Sequence, residues 1–294
     1  TLYVWQSYLK TMKRFGFLLF ALLLIVTFAA SSQDYFLLPE NFYMKKGEKL
    51  NLHLLSGNEF QKEAEYKSQN AKISKFTLYE GSKKTDLNNL PKDTSSSILN
   101  YTLENSGLAL IEVVKTESIE SERNKFLKNL GNEGLDKIAE DAKNSNQQYF
   151  VEKSNRYVKT LIAIDKANGK DFDKPLGEDY EIVIQQNPYK ASYGDDVTAQ
   201  ILFKGKPLKD AVVIVYTRTI SGNVFPQKLS SDAQGQIYFK LSREGIYMIS
   251  SVHIESSTDK NADFESWGAT FTFAFKNADS MPNTYKEFGL GDKH

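Results

Sequence analysis

Cysteine is absent from all 294 residues. Without disulfides, an exported protein must hold its fold by core burial alone. Thiolate zinc sites, a cysteine nucleophile and lipid attachment at a cysteine are excluded too. Excess charge of one sign is also missing: 37 Lys plus Arg balance 37 Asp plus Glu, for a formal net charge of zero. Nothing here forms the basic stripe that nucleic acid requires. Histidine is scarce, at three residues. Catalytic signatures are lacking: there is no Gly-x-Ser-x-Gly elbow, no phosphate-cradling glycine loop and no His-Glu-x-x-His pair. The sequence therefore reads as non-enzymatic.

Aromatic residues are plentiful, with 16 Tyr and 19 Phe. They suit strands, because flat side chains pack well on a pleated surface. A single β-sandwich takes about 100 residues, so two β domains are expected. The one long apolar run is Phe15–Phe28, after Met12, Lys13 and Arg14 and before the small residues Ala29, Ala30, Ser31 and Ser32. It falls short of the about 20 residues a membrane span needs. It reads as a secretory signal cleaved between Ala29 and Gln33, behind an upstream extension at 1–11. Export to the periplasm or cell envelope follows, with no membrane span once the signal is removed.

Beyond the leader at 1–32, an N-terminal β domain is expected over 33–120. Leu50, Leu52 and Leu54 alternate with Asn51, His53 and Leu55, which is strand periodicity. Further strands are expected at Ile73–Glu80, Ser97–Leu103 and Leu108–Lys115. Residues 121–177 are expected to form a short helical insertion, a return strand and a linker. Phe126, Leu127 and Leu130 make one apolar stripe, and Leu135, Ile138, Ala139 and Ala142 a second. Gly131 and Gly134 lie between them, and glycine costs a helix interior about 1 kcal/mol, so two short helices are predicted. Seven closely spaced strands over 178–277 predict an immunoglobulin-like β-sandwich. Val197, Ala199, Ile201 and Phe203 mark its core face, as do Ile237, Phe239 and Leu241, and Trp267, Ala269, Phe271, Phe273 and Phe275. The polar stretch 278–294 reads as a flexible tail. The fold class is thus mainly β: two β-sandwich-like domains with a helical insertion between them.

His53 falls on the polar face of its strand and reads as a solvated surface histidine, and His294 is terminal. His253 is the better candidate, because Ser251 and Glu255 share its strand face. Asp259, Asp263 and Glu265 follow. An imidazole with carboxylates suits a divalent ion such as nickel, cobalt or zinc, so His253, Glu255, Asp263 and Glu265 are the candidate metal ligands. The plainer alternative is that His253 only hydrogen-bonds the loop leading to Trp267.

Three segments carry a family resemblance. GIYMISSVHIESSTDKNADFESWGATFTF at Gly245–Phe273 has a glycine, a strand ending in Val-His, an acidic loop and an aromatic strand. NPYKASYGDDVTAQILFKGKPLKDAVV at Asn187–Val213 is the second, and FLKNLGNEGLDKI at Phe126–Ile138 with EKSNRYVKT at Glu152–Thr160 the third. With these the chain resembles the DUF4198 family of exported bacterial proteins, grouped with periplasmic components near nickel and cobalt transporters. The resemblance implies an envelope binding or accessory protein, partnered by a metal ion or a membrane transport component. Phe264 stands where the family usually has Trp. Gln33, Asp34, Tyr35 and Phe36 stand where relatives often open with a histidine, which leaves His253 as the matching one. The competing readings are a scaffold or interaction module without a ligand, with Tyr238 or Tyr247 at its partner surface, and a carbohydrate or peptide binder. A cleft between the domains, beside the helical segment, is the default site for any ligand.

Overall fold

The computed structural model describes residues 33–67, 71–89, 97–133, 135–170 and 172–276. The expected leader and tail lie outside these residues. The chain runs through β1 (Asp34–Pro39), β2 (Tyr43–Met44), β3 (Lys49–Gly57), β4 (Ala64–Tyr66), β5 (Ile73–Glu80), β6 (Lys83–Asp86), β7 (Leu99–Thr102) and β8 (Gly107–Glu122). Helices α1 (Arg123–Glu133) and α2 (Asp136–Lys143) follow, then β9 (Tyr149–Ile164). The remainder is β10 (Tyr180–Ile184), β11 (Asp196–Phe203), β12 (Lys206–Pro207), β13 (Val212–Arg218), β14 (Val224–Ser230), β15 (Gln236–Lys240), β16 (Gly245–Ser256) and β17 (Phe264–Phe275).

Among the described residues the strands form three sheets. The largest runs β14-β13-β16-β17-β9-β8-β5-β6, with β2 beside β9. One small sheet is β1-β3-β4 with β7 on β3; the other is β10-β11-β12 with β15 on β11. The C-terminal strands follow immunoglobulin-like order: β10-β11-β15 oppose β14-β13-β16-β17. The N-terminal strands repeat it, with β1-β3-β7 opposing β6-β5-β8-β9. The two sandwiches meet where the last strands of each half, β9 and β17, pair in parallel from Phe264↔Glu152 to Thr272↔Thr160. Strand β9, expected in the segment 121–177, thus makes one sheet continuous between residues 33–120 and 178–277.

This junction explains the apolar runs. Leu108, Leu110 and Val114 of β8 and Tyr157 and Leu161 of β9 join the core under β10 and β11. Their alternates Ala109, Ile111, Val113, Val158 and Ile162 join the core under β1 and β3. A strand covered on both faces carries apolar residues at every position, not every second one. Trp267, Ala269, Phe271, Phe273 and Phe275 point into the C-terminal core, as their alternation predicts. Val197, Ala199 and Ile201 meet them from β11, with Phe203 packed at the margin.

Strand β1 lies over the junction. Tyr35 and Leu37 enter the N-terminal core, while Phe36 and Leu38 pack with Tyr216, Ile246 and Met248 of the C-terminal half. Its carbonyls are satisfied from β17: Thr270 Oγ1 donates to Tyr35 O at 2.6 Å and Thr272 Oγ1 to Leu37 O at 2.7 Å. The two helices are present and separate between Glu133 and Asp136. Phe126, Leu130, Ala139 and Ala142 close over Phe150, Ile254 and Phe264, at the end of the β9–β17–β16 ribbon.

Two expectations about single residues need correction. His53 is buried, at 1% exposure, not solvated. Glu65 of β4 lies 2.6 Å from His53 Nδ1, and Glu40 lies 3.6 Å from Nε2. Carboxylates brought from outside the strand close over what the local alternation marks as its polar face. Tyr247 is also buried, at 1%, stacked on Phe273 with ring centroids 5.2 Å apart. Tyr238 is exposed.

Candidate ligand cleft and the His253 strand end

Helix α1, the turn after β3 and strands β13, β14 and β16 line a cleft of about 460 Å³. Its floor is Val212, Ile214 and Tyr216 of β13 with Pro226 of β14. Asn129 of α1 forms one wall, and Asn58 and Glu59 another. Gly57 fixes that second wall, because a Cβ there would come within 1.6 Å of Gln61 O. The turn that follows holds Glu59 and Phe60 in the left-handed region, at φ 51° and 58°. Phe60 anchors it by burying its ring edge-on to Phe36, with centroids 5.1 Å apart.

Asp34, at the start of β1, lines the cleft beside Ser250 of β16. Ser250 Oγ donates to Asp34 Oδ1 at 2.6 Å. Burial raises the Asp34 carboxyl above its ordinary range, and the Ser250 hydrogen bond and the Arg156 charge only partly oppose this. Arg156 is buried and held by Glu152, at 3.4 Å, and by Ser266 Oγ, to which it donates at 2.9 Å. Lys228 of β14 also lines the cleft and is exposed. The cleft thus combines a short apolar floor with a polar and charged rim that includes Asp34, Glu59 and Lys228.

The sequence reading did not find these residues. Its available signal was polar interruption of buried strands: Ser250 and Ser251 break the run GIYMISSVHI, and Asp34 opens DYFLLP. Ser251 is accounted for on the opposite face, donating to Val212 O at 2.7 Å.

The four predicted metal ligands all fall near the β16–β17 hairpin end. His253 pairs with Trp267 and Glu255 with Glu265 across the two strands. His253 Nε2 is 3.0 Å from Glu255 Oε1. Its ring packs 4.4 Å from Phe203 and 6.0 Å from Trp267, centroid to centroid. Glu265 Oε1 instead accepts from Asn155 Nδ2 and pairs with Lys153, each at 3.0 Å. Asp263 accepts from Val151 N at 2.7 Å and Gln147 Nε2 at 2.8 Å, tying the hairpin to β9. Both of these carboxylates are engaged elsewhere, so the four donors do not fit one divalent ion. Among the described residues no group of three or more His, Asp or Glu side chains is placed to hold a metal.

Fold and cleft together define a mainly β module of two fused sandwiches with a groove beside a helical insertion. The chain belongs to the DUF4198 family, described as a domain of unknown function, whose model matches residues 30–255. No curated protein matches it. Among solved structures it is similar to a tetra-tandem repeat in the extending region of a large adhesion protein, at 10% identity and a TM-score of 0.21. That match covers 85% of this chain, which spans 50% of the adhesion chain. It is also similar to the D0-D1 domain of Intimin, at 11% identity and a TM-score of 0.20, covering 83% and 98% of the two chains. Among the described residues no helix is long and apolar enough to cross a membrane.

Proposed function

We propose that the protein is a non-enzymatic binding module of the cell envelope, acting through the cleft between α1, the turn after β3 and strands β13, β14 and β16. The observation that carries this reading is the cleft itself. Its volume of about 460 Å³ falls within the 300–1,000 Å³ of small-molecule sites. The envelope location rests on the signal-like run Phe15–Phe28. The test is a thermal-shift screen with small fragments of mixed charge, run on wild type and on Asn129→Trp, which fills the cleft from its helix wall. Fragments that stabilise wild type and not the variant support the reading. Equal responses from both proteins would remove it.

A divalent metal is the second reading, favoured by the 3.0 Å contact of His253 Nε2 with Glu255. Two protein donors leave most coordination positions to water or to a carried complex, so binding at this pair would be weak. Calorimetric titration with nickel, cobalt and zinc, beside His253→Ala, decides it. Unchanged heats in the variant would dismiss the metal role.

A further inference from the structure

The cleft is lined by two acids, Asp34 and Glu59, against one base, Lys228. Lys228 and Glu59 are exposed, so water and salt screen both. Asp34 is different. It is half-buried on the cleft lining, Ser250 donates to its Oδ1, and the Arg156 charge offsets its burial only in part. A desolvated carboxylate is incompletely compensated, and a charged donor supplies opposite charge together with a hydrogen bond. An anionic ligand would meet like charge at Asp34. A neutral one would leave that charge to Arg156 and Ser250 alone. The floor of Val212, Ile214, Tyr216 and Pro226 offers apolar surface to the rest of the ligand.

We infer that the cleft binds a small organic cation, with a primary ammonium or guanidinium group against Asp34 and an aliphatic body along Ile214 and Tyr216. This rests on the proposed binding role of the cleft. Asp34 and Ser250 are the recognition residues, and Asn129 is an amide on the cleft wall.

The probes are agmatine, which carries an ammonium and a guanidinium at the two ends of a four-carbon chain, and 1-pentanol and pentanoate as shorter neutral and anionic chains. Each is titrated calorimetrically into wild type, Asp34→Asn and Asn129→Trp. Agmatine is expected to bind wild type and to weaken at least tenfold in both variants, with pentanoate giving no heat. Asp34→Asn keeps size and strand geometry, and Asn129→Trp alters a half-buried position of the cleft wall, so loss in both with unchanged urea midpoints points to the cleft and not to misfolding. Agmatine binding Asp34→Asn as tightly as wild type overturns the inference. If pentanol or pentanoate binds wild type but not Asn129→Trp, the cation assignment fails while the binding cleft stands. If none of the three binds wild type, the cation assignment fails, and the mixed-charge screen decides the binding role separately.

Discussion

Lys159 Nζ and Glu181 Oε2 lie 2.7 Å apart between the central sheet and β10, with side chains only 3% and 2% exposed. Three backbone amides also donate to the Glu181 carboxylate: Leu176 at 2.8 Å, Gly177 at 2.6 Å and Glu178 at 2.7 Å. Burial by itself raises this carboxyl, but Lys159 and the amides outweigh it and hold the group below the usual range. Its stabilisation is therefore present above the unfolded-state value of about 4.3 and is lost as pH falls through the lower folded value. Lys159→Met is expected to cost about 3–5 kcal/mol by leaving a buried charge unpaired. Adding Glu181→Gln should recover part of that loss, since Gln keeps a carbonyl oxygen for the amides. Urea midpoints between pH 3 and pH 7 check both statements.

The cleft depends on how β1 is held. Thr272 Oγ1 donates to the Leu37 carbonyl within a buried layer. Thr272→Val keeps the shape and removes the donor, which is expected to cost about 1–3 kcal/mol for the orphaned acceptor. Amide hydrogen exchange across residues 35–39 should accelerate in this variant, and more in Thr270→Val with Thr272→Val. Unchanged protection there would mean that β3 pairing alone holds the strand.

Gly245 begins β16 at φ 144°, where a Cβ would meet Arg218 O at 2.1 Å. Gly245→Ala is expected to destabilise by more than about 2 kcal/mol, combining backbone strain with a clash against fixed main chain. Chemical denaturation measures it. A loss of a few tenths would show that the β13–β14 turn yields easily.

The C-terminal sandwich was legible because its strands alternate cleanly, and Trp267 to Phe275 showed which face is core. The helical pair was legible from its two apolar stripes. The shared sheet was not, because parallel pairing of β9 with β17 joins residues more than a hundred positions apart and leaves no local period. Its trace is the unbroken apolar run Leu108–Ile111, which a two-faced strand requires. His53 was misread because strand alternation sees only the chain's own neighbours, whereas Glu40 and Glu65 arrive through tertiary packing. His253 was placed correctly beside Glu255. Asp263 and Glu265 were grouped with it by sequence proximity, but hydrogen bonds to β9 and its preceding loop draw both away.

A crystal soaked with agmatine and a mixed fragment set tests the cleft most directly. The expected result is ligand density over Ile214 and Tyr216, with a cationic nitrogen within hydrogen-bond distance of the Asp34 carboxylate. Density confined to the His253–Glu255 end, with the cleft holding only solvent, would contradict the binding role assigned to it.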